Sequence, residues 1–536
     1  VPLEKTVCSK LLKRYEARLS ERANWTSLWQ DVGDYGVPNK NNIFQSMVGG
    51  EKKTIELFDD SATTYNRELA NALYTLMFNP VVDWFELMMG VPEVDNDIDS
   101  QKWFQSSRNK MTRRINESNF PTEIHSIFED LPSFGTAPLF MLKDKEKLFR
   151  FIANQIYECA IEEDGYGKVV AIFKCLKWEL QQIVDEFGEK WMDEDMKEEY
   201  KTCRESGKVK KYDLIQCIVP WREEYGPRPS DTMKYVSIFI LQKKKIEVAT
   251  EFFSSFPAAV PRFVKLSDEA YGRSPMIDKM PTIKTANSMM KVILQGGQLT
   301  IAPPLQMEDN SLVRPLKWKP FGANYRRPGS AEIKPIGTGG NPGIGLEIIE
   351  YLHNSLKDGF FINQIRLPQI DRATAQEMSY RKEEQYRSFG AILGRLNNEL
   401  LLPVLRFVFQ EMWEAGEFDP LPDMIKKYIQ KGINIKYISM IARAQVALKA
   451  EALNRALQAS ATVIQAQPQV LDLLDGETVL KTNMADFGAD FRFLNSDKKV
   501  QEIRKGRADA AAQEQEQEAA LKESEVLKNQ ASVAQG

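Results

Sequence analysis

Histidine is nearly missing. The 536 residues contain only His125 and His353, so imidazole-based proton shuttling or metal ligation has almost no material, and each reads as a packed or surface residue. Cysteine is scarce too: Cys8, Cys159, Cys175, Cys203 and Cys217 form an odd set without a C-x-x-C pair. That argues against a disulfide framework and a zinc ribbon, and fits a reducing cytoplasm. No apolar run reaches the roughly 18 residues of a membrane span, the best stretch, 81–89, being interrupted by Asp83 and Glu86. No basic segment followed by an apolar one opens the chain, so a soluble protein without a signal peptide is expected. A basic excess is lacking as well, with 71 Lys and Arg against 75 Asp and Glu for a formal net charge of −4. A protein that grips DNA over a broad face usually carries such an excess, which restricts any nucleic-acid contact to local patches. Catalytic signatures such as G-x-S-x-G and H-E-x-x-H are absent. The carboxylate pairs Asp59-Asp60, Glu162-Glu163 and Glu383-Glu384 come without acid/base or metal partners and read as solvated faces.

What is present suits a large globular protein. Hydrophobic residues make up 43% and charged residues 27%, too apolar for wholesale disorder, and the length suggests about three to four domains. Residues 4–32 read as an amphipathic helix on Leu11, Tyr15, Leu19 and Trp25. A helix follows over 60–78, stopped by Asn79-Pro80, then a strand-like run at 84–88, a helix over 101–130 and a loop over 131–138. Between 139 and 265 the texture becomes β-rich, with runs at 148–156, 169–177, 212–219 and 235–241, a charged helix at 178–201 and a hairpin turn at Lys243-Lys244-Lys245. The fold class is therefore mixed, mainly α with a smaller antiparallel α+β region.

From Tyr271 to Met378 two helical segments bracket a Gly/Pro-rich insertion that contains few acids. Ser274-Pro275 is a helix start, and Pro281 must kink or restart that helix. Ile283, Ala286, Met290, Ile293 and Leu294 continue one stripe, which Gly296-Gly297 is expected to end. The return helix is read over 346–357, with Leu346, Ile349, Leu352 and Leu356 on one face. Both helices are one-sided and need partners, either each other or a neighbouring subunit. After a loop at 358–373, Thr374-Ala375-Gln376-Glu377 forms a capping box that opens a long helix running to Pro403. Gly390 and Gly394 on that helix permit a bend or close packing. Residues 420–431 look like a linker, 439–465 an alanine-rich helix, and 497–530 a charged, solvated helix or frayed tail.

Three patches invite function. The glycines of 337–345 precede a helix, as in phosphate-binding loops, but no buried strand leads into them and the Walker spacing is absent. A re-entry loop is the better reading. Arg314, Lys317, Lys319, Arg326 and Arg327 interleave with Trp318, Phe321 and Tyr325 without an acid between 311 and 331. This mixture suits a docking surface for protein or nucleic acid. The 358–373 loop carries Asn363, Gln364, Arg366, Gln369 and Arg372 against only Asp358 and Asp371.

The set Tyr271-Gly272-Arg273-Ser274-Pro275, the bracketed insertion and Arg372-Ala373-Thr374-Ala375-Gln376-Glu377 resembles the portal, or head-to-tail connector, proteins of short-tailed bacteriophages. Leu393-Gly394-Arg395, Glu399-Leu400-Leu401-Leu402-Pro403, Arg406, Asn79-Pro80, Trp84-Phe85 and Phe134-Gly135-Thr136 extend the likeness over most of 10–415. The resemblance implies a portal architecture of wing, stem, clip and crown in a ring oligomer, usually dodecameric, around double-stranded DNA. Residues 1–265 and 374–429 would be wing and linker, 266–295 and 342–358 stem helices, 296–341 the clip, 359–373 the tunnel loop and 430–536 the crown. Asn363, Gln364, Arg366, Gln369 and Arg372 would face DNA. Arg314, Lys317, Trp318, Lys319, Tyr325, Arg326 and Arg327 would form the docking surface of the clip. The implied partners are the packaging terminase, a tail adaptor, and the major capsid and scaffolding proteins. The implied location is the capsid vertex after assembly in the host cytoplasm. Neither a catalytic residue nor a cofactor, metal or membrane is implied. The competing readings are a nucleotide-dependent enzyme using 337–345 and a helical scaffold or adaptor of another kind.

Overall fold

A computed structural model of the chain describes residues 4–40, 57–78, 84–144, 146–206, 210–307, 324–332, 342–366 and 389–438. It also describes shorter pieces, among them 312–314, 334–335, 452–456, 458–460, 475–486, 493–495 and 499–513. The chain divides into two units, Val1–Phe78 with Asn119–Phe407, and Asn79–Ser118 with Val408–Gly536.

The first unit is built on a five-stranded antiparallel meander, Cys159–Glu163, Val169–Glu179, Lys211–Pro220, Tyr235–Leu241 and Ile246–Phe253, paired in chain order. Period-two alternation gives it two apolar faces. On one, Ala171, Phe173, Ile215, Cys217, Val219, Val236, Ile238 and Ile240 meet the Val7, Cys8, Leu11, Leu12 and Tyr15 stripe of helix Lys5–Glu21. On the other, Leu214, Phe239, Leu241 and Val248 meet Leu180, Ile183 and Met196. These belong to Leu180–Phe187, opened by a Glu179/Gln182 capping box, and to Glu194–Ser206. The single helix expected over 178–201 is thus two, separated at Gly188, whose φ of +75° suits glycine. A smaller sheet pairs Leu139–Asp144 with Leu148–Ala153 and Ala258–Ala259.

Other expectations need correction. The helix read over 4–32 breaks at Arg22 into Lys5–Glu21 and Ala23–Tyr35. The buried Arg22 guanidinium turns inward to donate to the carbonyls of Ile156 (3.0 Å), Tyr157 (2.6 Å) and Cys159. Helix Phe120–Phe134 tolerates Pro132 and occupies the first half of the loop expected at 131–138, ending at Gly135 with φ +79°. It packs on Ser61–Met77, where Tyr74 meets Phe128 edge-on. The long helix is described from Phe389; its start at 374–388, capping box included, lies outside the described residues. It does not stop at Pro403. A π turn at Asn397–Leu401 leads directly into Leu402–Glu414. The wider turn accommodates a residue that lacks an N–H and crowds the preceding carbonyl. A Cβ at Gly390 or Gly394 would meet nothing, so no close packing within the described chain explains either glycine.

In the second unit the expected strand, Phe85–Met88, pairs antiparallel with Asn434–Tyr437. Helix Ile98–Glu117 is capped by Asp97, which accepts the Ser100 N–H at 2.9 Å. The stretch read as a linker over 420–431 contains helix Asp423–Tyr428 and a 3-10 turn, Ile429–Lys431. Of the alanine-rich segment only 452–456 and 458–460 are described, both helical, and 499–513 is an exposed helix.

Candidate functional site

The central helix pair rises from a tightly knit base. Gly135 and Gly272 meet backbone to backbone: a Cβ on either would run into the other's carbonyl oxygen. Thr136 Oγ1 accepts the Gly272 N–H at 2.8 Å. Ser274 Oγ donates to the Ser133 carbonyl at 2.7 Å and accepts the Ile277 N–H at 3.1 Å, so one hydroxyl caps Pro275–Asp278 and ties it to helix Phe120–Phe134. Tyr271 packs against Trp25 and Trp29, its hydroxyl accepts the Ile161 N–H at 3.3 Å, and burial pushes its pKa up.

Beside this motif lies Arg262, 2% exposed. Its Nη2 and Nε reach Glu399 at 2.6 and 3.2 Å, its backbone N–H donates to the same carboxylate at 2.9 Å, and Nη1 pairs with Glu163. Nη2 also donates to the Gly167 carbonyl at 3.1 Å. Glu399 is presented by the π turn, so Arg262 joins the long helix, the five-stranded sheet and the start of the helix pair. One sign of this is present in the sequence: Arg262 is the only charge between Phe256 and Val264. Glu399, part of a quoted landmark, had no signal that named its partner.

As expected, Pro281 marks a restart: Pro275–Asp278 stops at Lys279 and a new helix runs over Met280–Ile301. It does not end at Gly296-Gly297. One helical glycine costs only about 1 kcal/mol relative to alanine, and Thr300 Oγ1 donates to the Gly296 carbonyl at 2.8 Å along the continuing helix. The return helix is Pro342–Gly359. Residues 342–345, expected in the glycine loop, are its first turn, with proline at the position it favours; 337–341 lie outside the described residues. The two helices run antiparallel, since Lys279 Nζ reaches Ser355 Oγ at 3.2 Å while Gly345 lies against Ile293.

Burial divides this pair. Towards the base, Met280, Ile283, Ala286, Asn287, Ile349 and Leu356 are buried. Asn287 Oδ1 accepts the N–H groups of Phe58 (2.6 Å) and Asp59 (3.2 Å), and His353 Nε2 lies 3.1 Å from the buried Asp59 Oδ1. Both helices are thereby fastened to the start of Ser61–Met77. Farther out, Val292, Leu294, Leu299, Ile344 and Leu346 are exposed, Ile301 to 87%. Between the helices, Leu305–Gln306 pairs with Lys334–Pro335, and Leu312 bridges to Arg326. Arg314, Tyr325, Arg326 and Arg327 are exposed there; Lys317, Trp318 and Lys319 lie outside the described residues.

At the other end, the backbone passes through a left-handed Phe361 (φ +59°) into the short helix Ile362–Ile365. Asn363 Nδ2 donates to Asp358 Oδ1 at 2.6 Å, and the Gln364 N–H donates to the Phe361 carbonyl at 3.0 Å. Arg366 grips Glu68 with Nε, at 3.0 Å, and Nη2. Gln369 and Arg372 lie outside the described residues. Among the described residues no cluster of three His, Cys, Asp or Glu side chains could hold a metal, and no helix is long and apolar enough to cross a membrane.

The buried base, the apolar outer half and the intervening insertion occur in a chain whose residues 8–494 match the family of bacteriophage head to tail connecting proteins. The chain belongs to that family. Among its relatives, a probable portal protein of Bordetella phage BPP-1 is 26% identical over 535 residues, 97% of this chain and 94% of the relative. The portal protein of Salmonella phage epsilon15 is 22% identical over 522 residues, 95% and 92% of the two chains. That of Enterobacteria phage T3 is 19% identical over 435 residues, 77% and 71%. As a connector, the chain is a structural link, and its functional surfaces are to be sought at the helix pair and its two ends.

Proposed function

We propose that this connector is a portal subunit, copies of which close into a ring, twelve in the usual arrangement implied by its resemblance, around the DNA path at a capsid vertex. The observation that carries this reading is the outer half of the helix pair. Val292, Leu294, Leu299, Ile301, Ile344 and Leu346 are apolar and uncovered within one chain, as a helix face packed against neighbouring subunits would be. A closed ring uses one face of a subunit against the opposite face of the next, so no single copy can cover both.

In this arrangement the antiparallel pair, Met280–Ile301 with Pro342–Gly359, is the stem, and the insertion 302–341 is the clip, presenting Arg314, Lys317, Trp318, Lys319, Tyr325, Arg326 and Arg327 to the packaging terminase and later to a tail adaptor. The 359–373 loop faces double-stranded DNA, while wing and crown contact capsid and scaffolding proteins. Translocation requires DNA to slide. Dense lysine and arginine contacts would hold phosphates against that movement, and the net charge of −4 suits a smooth conduit. The motor is a separate protein. Electron microscopy of the purified protein tests the proposal: rings with a central opening are expected, and monomers under assembling conditions overturn it.

A further inference from the structure

Arg366 drew attention in the sequence as a cation on a loop that would face DNA. Its surroundings assign it a different task. Nε and Nη2 engage both oxygens of Glu68, the planar two-point geometry that arginine forms with carboxylates and lysine cannot reproduce. A guanidinium held in this way presents a neutral pair, not a free cation, to a polyanion. Glu68 sits on Ser61–Met77, the helix whose start is fastened to the stem helices through Asn287 and His353.

The backbone just before Arg366 requires holding. Phe361 is a bulky residue at φ +59°, a left-handed conformation such side chains rarely adopt and which persists only when its surroundings enforce it. Three contacts surround it. Phe360 is buried and meets Tyr65 at 6.4 Å, on the same helix as Glu68. The Phe361 ring meets Phe389 at 5.1 Å, where the described chain resumes. Its carbonyl accepts the N–H groups of Gln364 and Ile365, both at 3.0 Å. Arg366 follows on the next turn and anchors the far side of this bend to Glu68.

We propose that Arg366 is a positioning residue: with Glu68 it forms a strut that fixes the root of the loop on helix Ser61–Met77, in place of a phosphate contact. The inference concerns how the loop is held and rests on the portal reading only for its consequence in DNA packaging. Exposed ion pairs add little to global stability, so variants at this pair fold and the test is not confounded by collapse.

The first readout needs only purified protein. Glu68→Gln and Arg366→Gln should each accelerate chymotryptic cleavage at Phe360 or Phe361 severalfold and to a similar extent. The double variant should be no faster than either single one, and exchanging the charges (Glu68→Arg with Arg366→Glu) should slow cleavage again. Unchanged cleavage in both single variants overturns the strut. The second readout is packaged genome per particle when each variant replaces the parent. The strut requires both single variants to fall together. Arg366→Gln falling while Glu68→Gln matches or exceeds the parent overturns it, because freeing the guanidinium would then have helped grip DNA. Failure of the parent protein to form rings rejects the portal reading and leaves the cleavage result standing on its own.

Discussion

The two halves of the central helix pair share helix type and apolar composition, yet differ in what surrounds them. Near the base, Ile283, Ala286 and Leu356 are buried, and polar groups such as Asn287, Ser274 and the Gly272 N–H have protein partners. In the outer half the same helices expose Val292, Leu294, Leu299 and Ile301. Large exposed apolar side chains in contiguous rows mark interaction surfaces in soluble proteins. The base belongs to the core of one chain, whereas the outer half has the composition of a core without its other wall. An amphipathic stripe in the sequence therefore says that a face will be covered, not by which molecule.

Three changes should sharpen or break that contrast. The largest effect is expected from Arg262→Met, which leaves Glu399 without its cation in a mostly buried site. A loss of about 3 kcal/mol of unfolding free energy is expected, measured by denaturant titration of the unassembled chain, and a loss near zero would detach this residue from the base.

A smaller, pH-dependent effect is expected from Asp130→Asn, in the helix whose Ser133 carbonyl holds Ser274. Burial pushes the Asp130 carboxyl above its ordinary range although Lys40 lies 2.5 Å away. With the folded pKa above the unfolded one, the stabilisation linked to this proton is complete below the ordinary value of 3.8 and is lost as pH rises through the folded value. Parent stability relative to the variant should therefore rise as the solution is acidified through the carboxyl range. A relative stability that fell on acidification would reverse the assigned shift.

The smallest effect on the single chain is expected farther out. Leu294→Ser with Leu299→Ser should change the stability of the isolated subunit by no more than about 0.5 kcal/mol, yet should abolish oligomers in sedimentation velocity. A large loss of subunit stability would mean that this face is already covered within the chain.

Much of the fold was legible where the signal is local. Alternating apolar runs announced Val169–Glu179, Lys211–Pro220 and Tyr235–Leu241, and Ser274-Pro275 with Pro281 announced a cap and a restart. What escaped depends on groups distant in sequence or on tertiary tolerance of poor local signals. Gly296-Gly297 and Pro403 look like stops because propensity disfavours them, yet neighbouring turns carry the helix through both. Nothing near Phe85 names Asn434–Tyr437 as its partner strand, and nothing near Arg366 names Glu68. The candidate site was accordingly visible as a segment, but the partner of Arg366 became visible only in the fold.

The discontinuity of the two units sets an order in time. Phe85–Met88 has no partner strand until Asn434–Tyr437 has been synthesised, and Arg262 waits for Glu399. At about 5–20 residues per second, translation separates the two strands by tens of seconds. During that interval the first unit lacks its clamp and the second lacks half of its small sheet. Neither unit can therefore close before late in translation: the first waits for Glu399 and the second for Asn434–Tyr437.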